Sequence, residues 1–238
     1  MQIFVRVGHI AAILVFLLFV LFWIREIRKV STEKLRAGAM FNAAGFAFFP
    51  GMAVWKIFEP YYGPEMMYSG KKLFDPLGPV PHLTWEDRFA PERIELVAIL
   101  AVFVAVVIWL IARREPIPGN GDLFLTVMCI WSAIRMTTET LRESPLRFQG
   151  VSVFILTSIA AEITVMAIWT VRRGRKQKNA AMTALEWLAI LACCVIILLQ
   201  DMGILSMGSS IANLVVTVGC SILITALILS AGKDSREA

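Results

Sequence analysis

Apolar runs of about 20 residues recur along this chain, and no other feature restricts its fold as strongly, because a run of that length crosses a bilayer as a helix. Seven segments pass the length test: Val7–Ile24, Gly38–Phe58, Ile94–Ala112, Asp122–Thr140, Val151–Val171, Thr183–Gln200 and Ser209–Ala231. In hydrocarbon each backbone N–H and C=O must be paired within its own segment, so helices are the expected form. The predicted fold class is all-α, a polytopic integral membrane protein of about seven transmembrane helices.

The loops between these runs set an expected orientation. Lys and Arg in short loops stay cytoplasmic, and the basic clusters Arg25, Arg28, Lys29, Lys34 and Arg36; Arg113 and Arg114; Arg172, Arg173, Arg175, Lys176 and Lys178; and Lys233 and Arg236 follow the first, third, fifth and seventh runs. All four then share one side, with the N-terminus outside and the C-terminus cytoplasmic. The net charge of +5 reads as topology rather than as a nucleic-acid surface. The first run ends in R-E-I-R-K and lacks a signal-like cleavage site, so it is expected to be a retained span. The whole chain, 1–238, reads as one transmembrane domain. Its long outer loop, at about 59–93, holds Pro60, Pro64, Pro76, Pro79, Pro81 and Pro91, too many prolines for one helix.

Ionisable groups within apolar runs are the candidates for chemistry. Arg135, Glu139 and Arg142 follow one another at i, i+4 and i+7 in W-S-A-I-R-M-T-T-E-T-L-R-E, Trp131 to Glu143, which puts them on one helix face. Two guanidinium groups flanking a carboxylate suit a phosphate-bearing ligand. The same spacing also builds an ion-pair ladder that finishes a helix. Glu162, inside the fifth run, is a possible intramembrane polar site, held neutral or paired with a cation across the bundle. His82 is the imidazole of the outer loop and a candidate general base.

Other polar residues have quieter readings. Lys56 is expected to snorkel to the headgroups, and Asp122 to cap a helix start. Glu86, Asp87, Arg88, Glu92, Arg93 and Glu95 read as a solvated loop or as a cover for the Arg135 face. Cys129, Cys193, Cys194 and Cys220 lie in apolar runs without metal-ligand spacing and read as small core residues, so neither a metal nor a cofactor is expected.

Between Pro91 and Glu143 the sequence resembles the prolipoprotein diacylglyceryl transferases, membrane enzymes of bacteria that move diacylglyceryl from phosphatidylglycerol to a lipoprotein cysteine. The resemblance rests on P-E-R-I-E-L at Pro91–Leu96, R-R-E-P at Arg113–Pro116, G-D-L-F at Gly121–Phe124 and R-M-T-T-E-T-L-R-E at Arg135–Glu143, with a further echo in L-S-M-G at Leu205–Gly208. It implies that Arg135, Arg142 and Glu143 bind a phosphatidylglycerol headgroup, that Glu139 orients it, and that the chain sits in a bacterial cytoplasmic membrane. A lipoprotein precursor would supply the thiol. The chain has no H-G-G and no G-R-x-G-N-F segment, so in a catalyst His82 or an outer-loop carboxylate would stand in as base. A transferase-like lipid-binding or scaffolding subunit of a membrane complex is the alternative expectation.

Overall fold

The computed structural model describes residues 2–28, 33–58, 84–85, 88–89, 91–112, 121–142, 146–174, 180–205 and 210–237. Among these residues seven helices follow one another: α1 (Gln2–Ile27), α2 (Glu33–Phe58), α3 (Pro91–Ala112), α4 (Asp122–Glu139), α5 (Val153–Gly174), α6 (Ala180–Asp201) and α7 (Ser210–Glu237). They coincide with the seven apolar runs, several continuing past the hydrocarbon-length stretch because polar residues at a helix end cost nothing once they reach water. Two short antiparallel ladders interrupt the series: β1 (Thr84–Trp85) with β2 (Arg88–Phe89), and β3 (Arg147–Phe148) with β4 (Val151–Ser152).

Six helices, all but α4, are long and apolar enough to cross a membrane. Their outward faces carry Ile10, Leu14, Leu21, Val104, Ile108, Leu188, Val195, Val215 and Ile222, all well exposed, and apolar surface on that scale is what lipid covers. α4 is different in kind. Asp122, Arg135 and Glu139 lie within its 18 residues, and all three are buried, as are Ser132 and Thr138.

Two compact units divide the chain, one formed by Met1–Tyr68 with Glu92–Val127, the other by Ser69–Pro91 with Met128–Ala238. In the first, Phe22 of α1 stacks on Phe46 of α2 with ring centroids 4.4 Å apart, and Phe46 meets Phe103 of α3 at 5.8 Å. α2 also meets the start of α4. The Leu123 N–H donates to Asn42 Oδ1 at 3.0 Å, so a side chain from another helix satisfies one of the open donors of the α4 N-terminus. Gly45 permits that approach, since a Cβ there would stand 2.7 Å from the Phe124 Cα. Gly121, in the left-handed region at φ 81°, turns the chain into α4.

Two expectations are corrected in this unit. Lys56 does not snorkel; its Nζ is buried 3.0 Å from Glu95 Oε2, with both side chains nearly inaccessible. Glu95 therefore belongs to an ion pair between α2 and α3, not to a solvated loop. A buried cation needs a close anion more than it needs headgroups, and Glu95, one turn inside α3, is where α2 can reach it.

The second unit packs α5, α6 and α7 around Ile155, Met166, Trp169, Ile190, Ile197, Ile224 and Ile228, all buried. Gly232 on α7 lies flat against the Trp169 ring, where a Cβ would meet Cε2 at 2.9 Å. Trp187 Nε1 of α6 donates to Thr170 Oγ1 of α5 at 3.2 Å. Arg173, expected as a loop charge, is instead buried at the end of α5: it donates through both terminal nitrogens to the Glu186 carboxylate of α6 and at 2.8 Å to Thr183 Oγ1.

A buried arginine–glutamate cluster at the end of α4

α4 closes on a run of residues that satisfy one another locally. Thr138 Oγ1 donates to the Arg135 carbonyl and Thr140 Oγ1 to that of Thr137, and the N–H groups of Leu141 and Arg142 donate to the carbonyls of Thr138 and Glu139 in a tightened last turn. The regular helix ends at Glu139. Arg142 is thus past the helix rather than two turns along its face, and it reaches Glu139 by folding back.

Glu139 is the centre of the cluster. Arg142 Nε lies 3.1 Å from Glu139 Oε2, close as an ion pair but off the line of a hydrogen bond. Arg135 Nη2 lies 3.9 Å from the same oxygen, one helical turn back. Ser152 Oγ donates to Glu139 Oε1 at 2.7 Å. The Arg135 guanidinium also lies over the Phe154 ring, 4.0 Å from its centroid, a cation–π contact of the kind that keeps a guanidinium in an apolar surrounding. All three charged side chains are buried, Glu139 at 2 % exposure and the arginines below a tenth.

A hairpin brings Ser152 there. Gln149 and Gly150 both have positive φ, 51° and 87°, as the tight turn between β3 and β4 requires, and the register sets Arg147 opposite Ser152. Arg147 then ties the hairpin to the end of α6: its Nη1 donates to the Asp201 carbonyl at 3.0 Å and its Nη2 lies 3.5 Å from Asp201 Oδ1. Asp201 Oδ2 in turn accepts from the Ser152 N–H at 2.6 Å. One serine therefore meets two carboxylates, one through its backbone and one through its side chain.

Among the candidates read from the sequence, the structure brings Arg135, Glu139 and Arg142 together. His82 and Glu143 lie outside the described residues, as does most of the segment at 59–93. Glu162 lies elsewhere, in the middle of α5, fully buried, with no cation and no hydrogen-bond donor at either carboxylate oxygen among the described residues. Ser152, Phe154, Arg147 and Asp201 were not anticipated. A signal for the first existed, the Q-G pair at Gln149–Gly150 between R-F and V-S, which marks a two-residue hairpin. Among the described residues no group of three His, Cys, Asp or Glu side chains is placed to hold a metal ion.

The helices and this cluster define an all-α protein of the multi-pass membrane class, with an ionic knot at the end of α4. No protein-family model, curated protein or solved structure matches the chain.

Proposed function

We propose that this protein binds the phosphate of an anionic phospholipid, phosphatidylglycerol above all, through Arg135 and Arg142 at the outer end of a seven-span bundle. The observation that carries the reading is the convergence of two guanidinium groups on one carboxylate where α4 ends. A guanidinium presents five donors in a planar fork and can hold a carboxylate on one edge and a phosphate on another. In this reading Glu139 keeps the two cations together, and Ser152 and Phe154 fix their aim.

The spans and orientation belong to the same proposal. α4, at 18 residues and a rise of 1.5 Å each, is about 27 Å long, close to the hydrocarbon thickness. Counting it as a span, with basic clusters facing the cytoplasm, sets the N-terminus and the Arg135 cluster outside, in a bacterial cytoplasmic membrane. The likeness to the diacylglyceryl transferases in R-M-T-T-E-T-L-R-E supports a reaction at this place, in which a lipoprotein cysteine sulfur bonds to the glyceryl carbon, glycerol phosphate leaves, and an outer-loop group such as His82 takes the thiol proton. The absence of H-G-G favours the second reading, a lipid-binding subunit without catalysis.

Lipid retention tests the binding site. The purified full-length protein, analysed by native mass spectrometry, is expected to keep phosphatidylglycerol, and R135A and R142A to lose most of it while K233A does not. Equal retention by all four proteins would defeat the assignment. Complementation of a strain depleted of its own transferase separates the two readings: rescue that R135A abolishes marks an enzyme, and no rescue despite good membrane expression marks the non-catalytic subunit.

A further inference from the structure

Glu162 is the one described side chain whose charge nothing in its surroundings answers. It sits in the middle of α5 with no exposed surface, and neither carboxylate oxygen has a hydrogen-bond partner among the described residues. An ion without partners in so dry a place is costly by many times the strength of one hydrogen bond. A positive occupant removes that cost.

The thiols of Cys129 on α4 and Cys194 on α6 lie within electrostatic reach of the carboxylate, and Cys129 also interacts with the Thr225 hydroxyl of α7. Thr225 Oγ1 donates to the Ser221 carbonyl one turn earlier. The Ser221 hydroxyl is itself buried without a partner. Those two thiols are the titratable groups that face Glu162 from α4 and α6. α7 brings the Ser221 and Thr225 hydroxyls and, beside Cys193 and Cys194, the Cys220 thiol, and on α5 the nearest charges along the chain are Arg172 and Arg173, beyond two helical turns.

α7 also connects this place to the far end of the unit. Asn213, Thr217, Ser221 and Thr225 recur every four residues, so they form one stripe about 18 Å long. At its upper end Thr217 Oγ1 lies 3.0 Å from both Gln200 Oε1 of α6 and the Asn213 carbonyl, and Gln200 Nε2 is buried without an acceptor. Orphaned polar atoms are rare in folded proteins. Here the Gln200 amide nitrogen, the Ser221 hydroxyl and the Glu162 carboxylate each lack a hydrogen-bond partner among the described residues, and the α7 stripe runs from beside the first, through the second, to Thr225.

We propose that Glu162 is a cation-binding site within the membrane-spanning bundle, its occupant a proton or an alkali ion that arrives along the hydroxyl stripe of α7. The site is independent of the phospholipid reading, since it shares no residue with the Arg135 cluster. It gives the protein a means of coupling to a proton or sodium gradient, because an ion held at mid-helix feels a large part of any transmembrane potential.

Infrared difference spectroscopy on the full-length protein in phosphatidylcholine liposomes tests this directly, since a neutral carboxyl and a carboxylate absorb at different frequencies. The Glu162 band is identified as the one missing from E162Q or, should that variant not insert, as the one displaced in E162D. The band is expected to interconvert between the two forms. Interconversion when bulk pH is stepped in choline chloride assigns a proton; interconversion when sodium or potassium chloride replaces choline chloride at fixed pH assigns an alkali ion. In either case S221A and T217A are expected to slow it severalfold with the unfolding temperature unchanged. A band that responds to neither pH nor alkali ion overturns the site, and unaltered rates in both hydroxyl variants overturn the route.

Discussion

Glu139 shares its two oxygens among three neighbours, and its removal should tell how much of the cluster depends on it. In E139Q the neutral amide leaves two buried guanidinium groups without the carboxylate between them, and breaking a buried pair from one side costs about 3–5 kcal/mol. S152A removes a hydrogen bond to a charged acceptor and should cost less, about 1.5–3 kcal/mol. Unfolding temperatures in detergent are expected to fall in that order; equal temperatures for S152A and the unmodified protein would show that Glu139 gains nothing from the hairpin. The Arg135–Glu139 relation was legible in the sequence because it lies within one helical turn. Ser152 was not, because its place depends on the chain reversing at Gln149–Gly150, and Asp201, 49 residues further on, is joined to it only by the packing of α6. Arg147, five positions beyond Arg142, is joined to the cluster through Asp201 and Ser152.

At the scale of the elements, the seven helices were legible from apolar run length alone, since lipid allows no alternative to the helix. What holds one helix to the next was not. Lys56 and Glu95 lie 39 positions apart in the sequence, and nothing in either run announces that they meet 3.0 Å apart. A buried pair of this kind predicts a distinctive result from a double-mutant cycle. K56M and E95L should each destabilise the protein by about 3–5 kcal/mol, and the double variant by far less, because neither charge is then left alone. Additive losses in the unfolding temperature of the double variant would mean the two side chains act separately. Gly45 belongs to the same class of hidden contact, as a glycine inside an apolar run looks like a weak point until the Phe124 backbone is found against it.

Among the described residues, six helices expose apolar side chains and the charges lie at helix ends or in buried pairs, with Glu162 the exception. Whether α4 completes a seventh crossing is decided by the sidedness of the positions that bracket α2, α3 and α4. Of single cysteines introduced at Arg28 and at the exposed Phe148, only F148C is expected to react with an impermeant thiol reagent on intact cells, R28C doing so after permeabilisation. Reaction of both from the same side would remove α4 from the crossings. The pairing at the end of α4 bears on the same question. If α4 is one of the crossings, a charge within it weighs against insertion, by less towards the end than at the centre, and Glu139 meets Arg135 and Arg142 within its own segment, before Ser152 or Asp201 has been synthesised. In that case the cluster carries one net positive charge with its carboxylate already answered, rather than a lone carboxylate that later helices must rescue.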